Sequence, residues 1–185
     1  MKRIVLFVFV AAAASATAFA QTSPDIEKAL LAAPANMREA ATVIKWSPDQ
    51  TYETLKKGTN GLVCYDRSGF PLQQPFSVEC TSMANLERAA QNLKAEALGD
   101  RAKAQGTLDA MEKEGTRAKP EFGSVWYHVM GPDREHGRTH MTIAVPGATA
   151  QTLGLPDKRR DNGVWIMNAG TTTAHLRTPG EEQGA

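Results

Sequence analysis

KKGTNGLVCYD, residues 56–66, decides how this chain is read. Asn60-Gly61 is a turn dipeptide set between two strand-like runs, 51–57 and 62–66. Asn and Gly tolerate the positive φ angles of a type I′ turn, whose twist matches that of paired strands. The stretch therefore predicts a β-hairpin. On its returning strand Leu62 and Cys64 share one face, and Val63 and Tyr65 the other. The residues that follow, 66–76, hold Gly69, Pro71 and Pro75 and read as a loop. Cys80 is placed to pin the far end of that loop to the hairpin, at the foot of the next helix. Cys64 and Cys80 are the two cysteines of the chain. An even count in an exported chain reads first as a disulfide, worth about 3 kcal/mol for a loop of this length. A metal pair would need closer spacing and further Cys or His ligands, and none is near.

Export is read from the first twenty residues. Lys2 and Arg3 precede an uncharged apolar run, and Ala18-Phe19-Ala20 is a small-x-small cleavage site. The expected arrangement is a cleaved signal peptide at 1–20, one domain at 21–178 and a disordered tail at 179–185. The protein is then periplasmic or secreted. Removing Lys2 and Arg3 turns the formal charge from +1 to −1. A near-neutral chain has no electrostatic reason to bind nucleic acid. The one basic triplet, Lys158-Arg159-Arg160, is bracketed by Asp157 and Asp161. No later apolar segment reaches membrane-spanning length.

Ser23-Pro24-Asp25 opens a helix, with Ser23 as cap and Pro24 in the first turn. A strand at 42–46 and a turn at Ser47-Pro48-Asp49 follow. Thr81 or Ser82 caps the main helix, whose stripe Met83, Leu86, Ala90, Leu93 and Ala97 spans about 83–98. Gly99 and Gly106 predict a looser helical stretch up to Gly115. From Ser124 the pattern turns to strands. Residues 125–130 form one. In 139–145 Met141, Ile143 and Val145 alternate with His140, Thr142 and Ala144. A last hairpin turns at Asn168-Ala169-Gly170. The fold class is α+β: a curled antiparallel sheet of about five to seven strands with one main helix on a face.

Several of these features together resemble an uncharacterised family of small exported bacterial proteins. They are the export signal, a short helix leading into Ala41-Thr42-Val43, and Gly58-Thr59-Asn60-Gly61 followed by Cys64. Cys80 opening a helix, a strand from His140-Met141 and a last strand from Ala174-His175 complete the set. The chain departs from that pattern at Leu62, where an aromatic is usual, and in its long polar stretch at 100–120. The resemblance implies no activity.

All four histidines lie late in the chain: His128, His136, His140 and His175. His136 and His140 have helical metal-site spacing, but Gly137 and the alternation after it place them on a strand, where they stand too far apart to share an ion. His140 and His175 both fall on polar strand faces. If those strands are neighbours, His140, Thr142, His175 and Arg177 form one patch able to hold a carboxylate or phosphate, or to help bind a metal. There is no Gly-x-Ser-x-Gly and no phosphate loop, and paired cysteines supply no thiolate. Trp126, Tyr127 and Trp165 serve a pocket or the core. The expectation is thus an exported non-catalytic domain, with no catalytic residue, cofactor or metal, that binds a small molecule or an envelope protein. The alternative is an enzyme or metal-binding protein using His140 and His175.

Overall fold

Capping places the first helix where the sequence asks for it. In the computed structural model, which describes residues 23–178, Ser23 accepts from the Ile26 amide at 3.4 Å and Pro24 occupies the first turn. The expected signal peptide and tail lie outside the described residues. Helix α1, Pro24–Ala29, is followed by two single 3-10 turns, then β1, Thr42–Trp46, β2, Tyr52–Lys56, β3, Leu62–Asp66, and β4, Phe76–Ser82. A 3-10 turn leads into α2, Leu86–Glu96, and α3, Arg101–Glu114. The remainder is β5, Val125–Gly131, β6, Arg138–Ala144, α4, Ala150–Leu153, β7, Trp165–Met167, and β8, His175–Arg177.

The eight strands of the described residues join one open sheet in the order β2-β1-β3-β4-β5-β6-β8-β7. The α+β class stands, while the strand number exceeds the expected five to seven. The unexpected strand is β4, which carries Glu79 and Thr81 on one face and so hides its strand character behind polar residues.

The Asn60-Gly61 hairpin is corrected. β2 and β3 do not pair; β1 lies between them, antiparallel to β2 and parallel to β3. The GTNG stretch instead crosses the start of β1. The Thr59 and Asn60 amides both donate to Ala40 O, at 2.7 and 3.2 Å, and the Gly58 amide donates to Thr42 Oγ1 at 3.0 Å. Gly58 permits the crossing, because a Cβ there would stand 2.3 Å from Ala40 O and Ala41 C.

Cys64 and Cys80 are bonded, with Cα atoms 4.1 Å apart. The bridge joins facing residues of the antiparallel pair β3–β4. Cys80 therefore sits mid-strand, not at the foot of α2, and the staple locks the sheet centre rather than a bend to a helix.

The β1-β3-β4 part of the sheet is covered on both faces. The N-terminal helical turns pack Ala29, Ala32 and Ala33 on Val43, Leu62, Cys64, Val78 and Cys80. Leu86, Ala89 and Leu93 of α2 pack on Ile44, Val63, Tyr65 and Trp126 opposite. The expected looser stretch after α2 is a full helix. Asp100 caps α3 by accepting from the Lys103 amide at 2.8 Å, and Gly115 closes it with φ 72°. These caps offset Gly106, which costs about 1 kcal/mol in a helix interior. Among the residues of α3 only Ala104 is buried. The helix rests on α2 and overhangs the sheet.

Candidate ligand-binding cleft

Four strands set one polar row across the sheet face beneath α2 and α3. Facing residues are Tyr65↔Glu79, Glu79↔His128 and His128↔His140. The Tyr65 hydroxyl donates to Glu79 Oε1. Arg67 Nη1 donates to Glu79 Oε2 at 2.6 Å, and its Nη2 donates to Glu96 of α2. His128 Nδ1 stands 3.1 Å from Glu79 Oε2. The ring of His128 stacks on Trp126 and lies 5.9 Å from that of His140. Arg177 Nη1 meets His140 Nε2 at 2.5 Å and closes the row on β8.

Glu79 is the anchor of this row and is 1 % exposed. Burial alone would raise its carboxyl, but the Arg67 charge, His128 and the Tyr65 hydroxyl outweigh burial and hold it well below the carboxylate range. Burial and the adjacent Glu79 charge push the Tyr65 phenol well above its ordinary value. At neutral pH the row therefore holds a carboxylate, a neutral phenol and a guanidinium, fixed against one another.

Between this face and the overhanging α3 lies a cleft of about 510 Å³. Glu79, Trp126, His128, Thr142 and Ala144 form its floor. Its walls are the β7–β8 connection with Asn168 and Thr171–Thr173, and Arg88 and Asn92 of α2 with Arg117. Gln105, Asp109 and Glu112 of α3 overlook it.

Arg88 and Arg117 are 5 % and 6 % exposed. Arg88 donates to Ala118 O at 2.6 Å, Thr172 Oγ1 at 3.1 Å and Thr173 Oγ1 at 2.8 Å. Arg117 donates to Gln91 Oε1 at 3.0 Å and to Asn92 Oδ1. Every one of these acceptors is neutral. Burial lowers the Arg88 value, with Glu112 working against it. Burial and the charge of Arg88 lower Arg117 to about 10. Glu112 spends its oxygens on Thr172, accepting from its amide at 2.7 Å and from its hydroxyl.

The sequence-derived patch is divided between two depressions. Thr142 and His175 line the cleft. His140, His175 and Arg177 line a second depression of about 610 Å³ beyond it. β6 and β8 are neighbours, and Ala144 faces His175. That register sets His175 four residues along from His140, a separation of roughly 13 Å on a strand. His136 sits in the β5–β6 turn with its Nδ1 2.8 Å from Asp133. Among the described residues, no three of His, Cys, Asp and Glu gather as a metal cluster.

Comparison with models of protein families, with curated proteins and with solved structures returned no match. The chemistry of the cleft is thus read from its own residues. Tyr65, Arg67, Glu79, Arg88, Arg117 and His128 were not legible as site residues. In sequence Arg88 and Arg117 look like solvated charges, and only tertiary contacts with α2, the segment after α3 and the β7–β8 connection bury them. Glu79 carried one usable signal: the polar alternation Ser77-Glu79-Thr81 on a strand with apolar flanks.

Proposed function

We propose that this chain is an exported, non-catalytic domain that binds a small molecule in the cleft between the α2–α3 layer and the sheet. The observation that carries the reading is the lining. Buried guanidinium groups, the carboxylates Glu79, Asp109 and Glu112, and neutral polar side chains converge on one space from helices, sheet and the β7–β8 connection. Its volume falls in the range of small-molecule sites, roughly 300–1,000 Å³. The ion-paired row beneath it supplies a rigid floor. Export is supported by the pattern of residues 1–20 and by the disulfide, which an oxidising compartment preserves. No helix among the described residues is long and apolar enough to cross a membrane.

Native mass spectrometry of tag-free protein tests this reading. After incubation with the low-molecular-mass fraction of a cell-envelope extract, one stoichiometric adduct is expected. Gln105→Trp, an exposed α3 position overlooking the cleft, should abolish it. No adduct, or an adduct indifferent to that substitution, removes the reading.

A second reading, an enzyme, is favoured by one arrangement. Glu79 holds His128 Nδ1, and His128 Nε2 has no hydrogen-bond partner among the described residues, as in an oriented general base. His140 and His175 fit that role less well, since the register separates them. Their metal-binding form would show as a stoichiometric ion lost on replacing either histidine.

A further inference from the structure

We propose that Arg88 and Arg117 form a carboxylate subsite, and that the molecule held in the cleft is a small organic acid. This rests on the reading of the cleft as a ligand site and adds what the ligand must carry. Both guanidinium groups are more than nine-tenths buried, and neither has a carboxylate within ion-pair distance among the described residues. Their hydrogen-bond acceptors are all neutral, the two charges repel each other, and the nearby Glu112 carboxylate, bound to Thr172, offsets only part of that charge. A third arginine of the cleft, Arg67, shows the contrast: it is closed off by Glu79 and Glu96.

Donor geometry agrees. A guanidinium carries five N–H groups in a planar fork. Arg88 has three hydrogen bonds to protein and Arg117 two, so both keep donors for an incoming ligand. Parallel N–H pairs from such a fork match the two oxygens of a carboxylate.

Local charge selects among anions. The two guanidinium charges and the single Glu112 carboxylate leave one positive charge at this wall. A monocarboxylate balances it, whereas a phosphate monoester, near −2 at neutral pH, overshoots. Asp109, exposed on the next turn of α3 and hydrogen-bonded by Gln105 at 2.7 Å, makes the mouth still less hospitable to a dianion.

The test is an NMR titration of ¹⁵N-arginine-labelled protein, reading the Arg88 and Arg117 Nε–H resonances. Sodium propionate, sodium lactate and inorganic phosphate are added separately at ionic strength matched with sodium chloride. Saturable shifts of both resonances with the carboxylates, absent with chloride, are expected. Arg117→Lys, which keeps the charge and loses the fork, should weaken the response about tenfold. Saturation by phosphate alone reassigns the subsite to phosphate and overturns the proposal. Arginine resonances indifferent to every anion, in protein that still takes up the extract adduct, also overturn it while leaving the cleft reading in place. Loss of the adduct to Gln105→Trp is a separate result and bears on the cleft alone. The wild-type titration stands without the variant, should Arg117→Lys fail to fold.

Discussion

Arg67 Nη1 lies 2.6 Å from Glu79 Oε2 beneath α2, with the two side chains 9 % and 2 % exposed. The middle of this sheet is thus ionic on the face that supports the cleft and apolar on the other, where Val78 and Cys80 meet the N-terminal helical turns. An ion pair so placed is poor evidence of net stability, since desolvation offsets most of its attraction. Its structural consequence is positional. It fixes His128 and Tyr65 against one carboxylate and ties β3, β4 and α2 together.

Breaking that pair on one side should be costly. Arg67→Met leaves Glu79 buried without its guanidinium, and a loss of roughly 3–5 kcal/mol is expected in urea denaturation. Arg67→Met combined with Glu79→Met should recover a substantial part of the loss. Equal costs for the single and double variants would contradict the account.

Acid unfolding should report the same carboxylate. The folded-state value of Glu79 is depressed, so its contribution is fully present above the unfolded value, about 4.3. The contribution is lost as pH falls from there through the folded value. Glu79→Gln should lower stability at pH 7 and flatten the acid limb below about pH 4. An unchanged acid limb would contradict a depressed Glu79.

Two glycines of the GTNG stretch separate the observed crossover from a hairpin. Gly61 has φ 74° with open space where a Cβ would stand, whereas Gly58 lies against the backbone of residues 40–42. Gly61→Ala should cost about 1 kcal/mol, the ordinary penalty of a left-handed position. Gly58→Ala must displace backbone and should cost more than about 3 kcal/mol. A hairpin reverses the order, because it depends on Gly61. Chemical denaturation of both variants decides.

Local signals were legible where they acted locally. Ser23 and Pro24 start α1, the alternation from His140 to Val145 marks β6, and Asn168 to Gly170 turn the last hairpin. The pairing of the first three strands was not legible. Asn60-Gly61 is compatible with a hairpin turn, and only the contact of residues 58–60 with Ala40, some twenty residues earlier, selects the crossover. His140 and Arg177 were marked for their polar strand faces, and they do meet. The arginine wall was hidden for a different reason. Arg88 lies within α2 between the stripe residues Leu86 and Ala90, and Arg117 stands two residues after the Gly115 cap, so neither position announces burial until the segment after α3 and the β7–β8 connection meet α2.

The disulfide should behave as a sealed cross-strand link. Both cysteines are 0 % exposed. Alkylation without reductant should leave Cys64 and Cys80 unlabelled. In native buffer, reductant should act only as fast as the protein opens, so the reduction rate should climb with urea. Replacing both cysteines by alanine should lower stability by about 3 kcal/mol, from the loop of 16-residue separation that the bond closes. Rapid reduction in native buffer would contradict a bond buried at the centre of the sheet.

Glu112 is the tie between the overhanging helix and the β7–β8 connection. It accepts from both the amide and the hydroxyl of Thr172, and those bonds, with Arg88 and Arg117, hold its carboxyl below the ordinary value against the effect of burial. The rest of α3 buries little, so its attachment is local and its opening free energy should be lower than that of the sheet. Glu112→Ala should therefore speed amide hydrogen exchange across Arg101–Glu114 while leaving β3, β4 and β5 unchanged. The global cost should stay near 1 kcal/mol, the scale of a lost hydrogen-bonded contact. The same substitution removes the one carboxylate beside Arg88 and Arg117. Binding of a carboxylate probe should then strengthen even as the helix loosens. A variant that loosens α3 and loses the probe as well would mean that closure of the helix, not the charge of its wall, governs occupancy of the cleft.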